Sequence, residues 1–132
     1  MADPGETINP GRLVLDYKTA ARQADVTLVE GAGGIRVPLT AEMDMIDLMV
    51  LFNAPVLVVA RPDLGTINHT LLTVDALLHR NISLAGVLVS GMPSDPAAVA
   101  VRTLEAVLAR RLGRLYLGDL PQTDVNGGVL PD

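Results

Sequence analysis

Glu30 closes an apolar run, Val26-Thr27-Leu28-Val29, and is followed at once by Gly31-Ala32-Gly33-Gly34. A strand that ends in a carboxylate and opens into glycines suits a divalent cation beside a phosphate. Mg²⁺ takes one or two carboxylates and completes its shell with water and phosphate oxygens. Glycines let backbone N–H groups approach an anion closely. The same residues also read as a tight turn with an acid facing solvent. A second constellation, Arg61-Pro62-Asp63-Leu64-Gly65-Thr66-Ile67-Asn68-His69, follows the run Val56-Leu57-Val58-Val59-Ala60 and opens a helix. Thr66, Asn68 and the unbonded N–H groups of a helix start form an anion site. Read alone, Thr66 is a cap, and Asn68 and His69 are polar first-turn residues. Ser90, after Leu84–Val89, could bond a ligand or turn the chain, and Gly118-Asp119-Leu120-Pro121 could line a base pocket. Several strand ends of this kind favour binding, because open α/β sheets bind ligands at the carboxyl edge.

Other polar residues carry less. His69 and His79 are the only histidines and lack metal-ligand spacing, so a structural or capping role is expected. Asp44 and Asp47 read as solvated. Arg110-Arg111 near a helix end complements the helix dipole.

These positions need elements to hold them. Apolar spacing predicts helices over 12–24, 43–52 and 66–80. Short β-branched or leucine-rich runs predict strands over 26–29, 55–60, 84–89 and 115–117. Asp95 reads as an N-cap and Pro96 as the first residue of a helix reaching Leu112, stopped by Gly113. Residues 1–11 read as an irregular lead-in and 122–132 as a loop-like tail. Alternating strands and helices predict one α/β domain over 1–132, a three-layer parallel sheet of about four strands. So small a sheet leaves apolar edges open, and another chain or copy is expected to cover one.

Composition narrows the function classes. The 132 residues are 49% hydrophobic, enough for a packed core, and only 2% aromatic. The net charge of −5 and the absence of a basic patch argue against nucleic acid. Cysteine is absent, which removes disulfides and thiolate metal sites. No apolar run is long enough for a membrane helix, and the first residues lack a signal-peptide pattern. The expected location is the cytoplasm.

Glu30-Gly31-Ala32-Gly33-Gly34, Val37-Pro38-Leu39, Leu64-Gly65-Thr66-Ile67-Asn68-His69 and Gly118-Asp119-Leu120-Pro121, in this order and spacing, resemble the dethiobiotin synthetase family. The resemblance runs from about residue 12 to 121. It implies a P-loop NTPase type of parallel sheet. It also implies ATP- and Mg²⁺-dependent closure of 7,8-diaminopelargonate and CO₂ to dethiobiotin, a step of biotin biosynthesis. A carbamate forms on the diamine, ATP phosphorylates it, and the second amine closes the ring. By the same resemblance Glu30 ligates Mg²⁺, and Gly31, Ala32 and Gly33 lie along substrate and phosphates. Asn68, with the amides of Gly65, Thr66 and Ile67, holds the substrate carboxylate across a homodimer. Ser90, Gly118, Asp119, Leu120 and Pro121 border the nucleotide.

Two departures from that family stand out. An asparagine that reads adenine is replaced by Ser90, which offers a shorter reach and one donor. The family's P-loop, catalytic lysines and Mg²⁺-binding aspartate have no counterpart. Lys18 is the single lysine, and Gly-x-x-x-x-Gly-Lys-Ser/Thr cannot be written anywhere. No catalytic residue is therefore assigned: the chain is expected to be a fragment or truncated frame of such an enzyme, or one that works as a homodimer or with a complementary P-loop chain. A non-catalytic ligand-binding or dimerisation module of the same family is the alternative. A relative of the cobyrinate amidases is a third reading, and Leu64–His69 speaks against it.

Overall fold

The structure, a computed structural model, describes residues 8–93 and 99–123, with side chains from 103 onward in the second stretch. The expected cap Asp95 and helix start Pro96 lie outside the described residues. The chain divides into two compact units, Met1–Ala54 and Pro55–Asp132.

The first unit holds two helices. α1 spans Pro10–Ala21, with Asn9 as N-cap and Pro10 in its first turn. The Asn9 side chain accepts a bond from the Arg12 N–H at 3.1 Å. A proline costs nothing here, because first-turn amides have no intrahelical acceptor. α2 spans Met45–Phe52 and buries Ile46 and Leu48. Asn53 ends it in the left-handed conformation, and the rings of Tyr17 and Phe52 lie 4.7 Å apart. Val26–Glu30 is extended but pairs with no strand. Its residues alternate partly, Thr27 being half-buried and Leu28 92% exposed. The expected strand over 26–29 is therefore not formed. An apolar run fixes the extended conformation, but a strand also needs a neighbour's backbone to bond.

The second unit is a parallel α/β sheet. β1 (Val56–Ala60), β2 (Leu84–Met92) and β3 (Tyr116–Pro121) lie in the order β1-β2-β3. Both pairings are parallel. Three strands are thus paired among the described residues, one fewer than the sequence reading. α3 (Thr66–His79) links β1 to β2, and α4 (Val99–Leu112) precedes β3 through a short 3-10 turn at Gly113–Leu115. Gly113 stops α4 as expected, with φ of +55°.

The core of this unit lies between the sheet and one helical layer. Ala60, Val89, Met92, Leu104 and Leu108 are buried together, with Ile67, Leu112 and Tyr116 packed on them. α3 adds Thr66, Thr70, Val74 and Leu77 to its buried face. These positions follow the helical repeat of 3.6, which places them on one stripe. Both helices therefore sit on the same side of the sheet, the result of two successive crossovers of one hand.

Candidate functional site

The glycine loop of the first unit is built from both ends. Gly33 has φ of +80°, and a Cβ there would lie 2.8 Å from Val37 Cγ2. Only glycine meets both conditions. After the loop, Pro38 and Asp44 form an isolated bridge, and Leu39 N–H donates to the Met43 carbonyl at 2.8 Å. The first amides of α2 are used up here: Met45 N–H donates to the Val37 carbonyl and Ile46 N–H to the Ile35 carbonyl, both at 2.9 Å. The N-terminus of α2 thus anchors the loop and leaves no amides for an anion. Gly31 to Gly34 are all exposed.

Asp44 and Asp47 depart from the sequence reading of solvated acids. Both are half-buried. Asp44 pairs with Arg36 at 3.1 Å, and the Asp47 carboxylate accepts from the Asp44 N–H at 2.8 Å. A carboxylate in the first turn bonded back to the N-cap is a capping arrangement. These acids hold the start of α2.

Glu30 is exposed at the end of the extended segment, immediately before the loop. No cluster of three His, Cys, Asp or Glu side chains able to hold a metal exists among the described residues. A single exposed carboxylate such as Glu30 offers a divalent cation at most a partial set of hard oxygen ligands.

In the second unit the ladder register brings the other candidates to one edge. Ala60 is paired with Val89, and Val89 with Asp119. Ser90 is paired with Leu120, and Met92 with Pro121. The carboxyl ends of β2 and β3 therefore finish together, while β1 ends opposite Val89, before the end of β2. The loop after β1 reaches the end of β2, where a Cβ on Gly91 would be 4.0 Å from Pro62 Cδ. Gly118–Pro121 lies inside β3 rather than beyond it, a correction to the sequence reading. The strand starts at Tyr116 because Gly113–Leu115 is taken by the 3-10 turn.

At the start of α3 the cap is Gly65, not Thr66. Gly65 has φ of +91°, and a Cβ would sit 3.3 Å from His69 Cε1. Thr66 is buried, its N–H donating to the Asp63 carbonyl at 3.1 Å. His69 N–H closes onto the Gly65 carbonyl at 3.0 Å. The helix geometry leaves the amides of Ile67 and Asn68 without an intrahelical acceptor. Asn68 is exposed beside them. An amide side chain and two backbone donors at a helix start suit a carboxylate or phosphate. His79 acts structurally, as expected: its Nδ1–H donates to the Asp75 carbonyl at 2.8 Å.

The sequence reading missed Tyr116 and Glu105. With Ala106, Ala109 and Asp119 they line a shallow depression of about 430 Å³. The Tyr116 hydroxyl is shut off from solvent and has no hydrogen-bond partner among the described residues. Burial, then the charges of Asp119 and Glu105, push its ionisation above the ordinary 10.0. A lone tyrosine inside a leucine-rich strand carries no pattern that would have marked it.

Comparison with known proteins agrees with the motifs. A family profile described as an AAA domain matches residues 1–127. The ATP-dependent dethiobiotin synthetase BioD of Aromatoleum aromaticum is 41% identical over 121 residues, covering 91% of this chain and 52% of that protein. The enzyme of the same name from Rhodopseudomonas palustris strain BisB5 is 45% identical, covering 84% of this chain and 49% of that protein. That of Mycolicibacterium vanbaalenii is 43% identical, covering 71% and 42%. The chain spans about half the length of the curated relatives it matches.

Proposed function

The chain belongs to the AAA domain family and is a homologue of the dethiobiotin synthetases, and on that premise we propose that it supplies the substrate-side part of a dethiobiotin synthetase site. The observation that carries this is the carboxyl edge of the sheet, where Ser90 pairs with Leu120 and Met92 with Pro121, and where the loop leading from β1 to the Gly65–Asn68 turn brings Pro62 beside Gly91. In this reading Asn68 and the amides of Ile67 and Asn68 hold the carboxylate of 7,8-diaminopelargonate. Ser90 and the backbone of Gly118, Asp119, Leu120 and Pro121 border the adenine of ATP. Gly31, Ala32 and Gly33 lie along substrate and phosphates.

ATP with Mg²⁺ would supply the phosphoryl group that activates the carbamate, and Glu30 would be one oxygen ligand of the metal. The residues present bind and orient; they lack the donors that phosphoryl transfer needs. Lys18 is the only lysine and lies exposed on α1. Each missing electrostatic donor costs about 3 to 4 kcal/mol of transition-state stabilisation. In this reading a P-loop-bearing half, in the same or another polypeptide, completes the site. Assembly as a homodimer is compatible with the same reading.

The test mixes the purified chain with diaminopelargonate, bicarbonate, Mg²⁺ and ATP, with and without a P-loop-bearing half of a relative. Dethiobiotin is expected only with that half. Asn68→Ala should then weaken diamine use about tenfold, the equivalent of one charge-assisted hydrogen bond. Phosphate release by the chain alone would contradict the inference from its lysine count. The single lysine also favours a second reading, a non-catalytic binding or dimerisation module. That reading gains if no mixture turns over, yet the diamine binds the chain and Asn68→Ala abolishes binding.

A further inference from the structure

We propose that His69 is a positioning residue for the turn at the start of α3, its imidazole holding Gly65 in the conformation that presents the amides of Ile67 and Asn68 to a carboxylate. This rests on the reading that the turn takes the carboxylate of the diamine, and it says what keeps the turn in shape.

The turn has little else to steady it. Gly65 has φ of +91°, and glycine reaches many other conformations at little cost. Leu64 beside it is wholly exposed. Arg61 and Asp63 lie 3.5 Å apart with both side chains largely in solvent, and a pair of that kind contributes little. Two backbone bonds close the turn. Thr66 N–H donates to the Asp63 carbonyl at 3.1 Å, and His69 N–H to the Gly65 carbonyl at 3.0 Å.

The His69 ring supplies a further hold. Helical side chains lean towards the N-terminus, so residue i+4 lies over residue i. His69 stands four residues after Gly65, and its ring reaches back onto the cap. The three heavy atoms nearest to the place of a Gly65 Cβ are His69 Cε1 at 3.3 Å, Nδ1 at 3.8 Å and Nε2 at 3.9 Å. The far edge of the imidazole thus fills the space that a side chain on residue 65 would take. The ring is carried by a turn of helix that is itself fixed, because Thr66 and Thr70 are buried.

The consequence for binding follows from population. A site that is competent only part of the time binds more weakly by that fraction. Removing the ring therefore weakens carboxylate binding while every donor stays in the chain. The role is one of shape, so an aromatic ring without nitrogens can fill it.

The experiment compares the full chain with its His69→Ala and His69→Phe variants. Amide exchange at Thr66 and His69 (the residue 69 amide in the variants) is followed without ligand. 7,8-Diaminopelargonate and its methyl ester are then titrated calorimetrically. In His69→Ala, exchange of both amides should quicken at least about tenfold, and the Kd for diaminopelargonate should rise about tenfold. The ester, which lacks the carboxylate, should bind all three chains alike. His69→Phe should stay within about threefold of the unaltered chain in both measurements. The inference is overturned if His69→Ala keeps its amide protection or its affinity for the diamine. It is overturned too if the urea midpoint of that variant falls, since the whole fold would then have loosened. Loss of ester affinity in step with the diamine also overturns it, because the damage would lie away from the carboxylate. So does a phenylalanine variant as weak as the alanine one, because a ring nitrogen would then touch the substrate. If no chain binds the diamine, the proposed function fails, and amide exchange alone decides whether His69 holds the turn.

Discussion

Tyr116 shows what a single misplaced polarity does. Its hydroxyl lies out of solvent with no partner among the described residues, a condition that costs about 1 to 3 kcal/mol. Burial first, then Asp119 and Glu105, raise its ionisation above 10.0. Below that value both folded and unfolded chains hold the proton, so stability there is independent of this group. As pH rises past about 10, the unfolded chain releases its proton first and the folded state loses ground until its own phenol ionises. Tyr116→Phe is therefore expected to hold or raise stability at neutral pH, by up to about 1 kcal/mol, and to flatten the alkaline loss. Thermal unfolding between about pH 8 and pH 11 checks this; an unchanged alkaline slope in the variant refutes it. Gly33 and Gly65 are the opposite case. Their place in loops was legible from sequence, and the structure supplies the reason: positive φ at both, with Val37 and His69 filling the space of a side chain.

Among the elements, α3 was the most legible. Its predicted range of 66–80 is matched by Thr66–His79, because fourteen residues of helical periodicity outweigh any local ambiguity. The same helix gives a contrast between two leucines. Leu77 is fully buried and Leu72 is 59% exposed. Leu77→Ala should cost about 2 to 5 kcal/mol, and Leu72→Ala about 0.5 kcal/mol or less. Urea titration reads both, as a fall in midpoint at constant slope; equal effects would show that α3 does not present this face to the core. Val26–Val29 was the least legible. Its composition matches that of β1, yet one run is a strand and the other is only extended, because pairing depends on residues distant in sequence.

For the molecule as a whole, exposed apolar surface is the leading property. Leu28, Leu57, Val59, Leu64 and Leu117 are all exposed. Exposed apolar side chains of this size bind apolar probes and partners. The chain alone should therefore bind an apolar fluorescent dye strongly, and adding the complementary half should lower the signal. A signal unaffected by that half, in a mixture that forms dethiobiotin, would mean the exposed leucines lie away from the interface. No described helix is long and apolar enough to cross a membrane.

By itself the sequence determined the α/β class, the helices and the residue types of the site. Those are local properties: periodicity, caps, turn glycines, and motifs a few residues long. The absence of a P-loop lysine was equally plain, because it is a matter of composition. Tertiary structure alone decided that Ser90 and Leu120 lie side by side at the ends of β2 and β3, that α2 spends its first amides on the glycine loop, and that β1 pairs with β2 alone among the described residues. Each of these depends on which backbone groups find partners. Hydrogen bonds between segments tens of residues apart leave no periodic trace in either one.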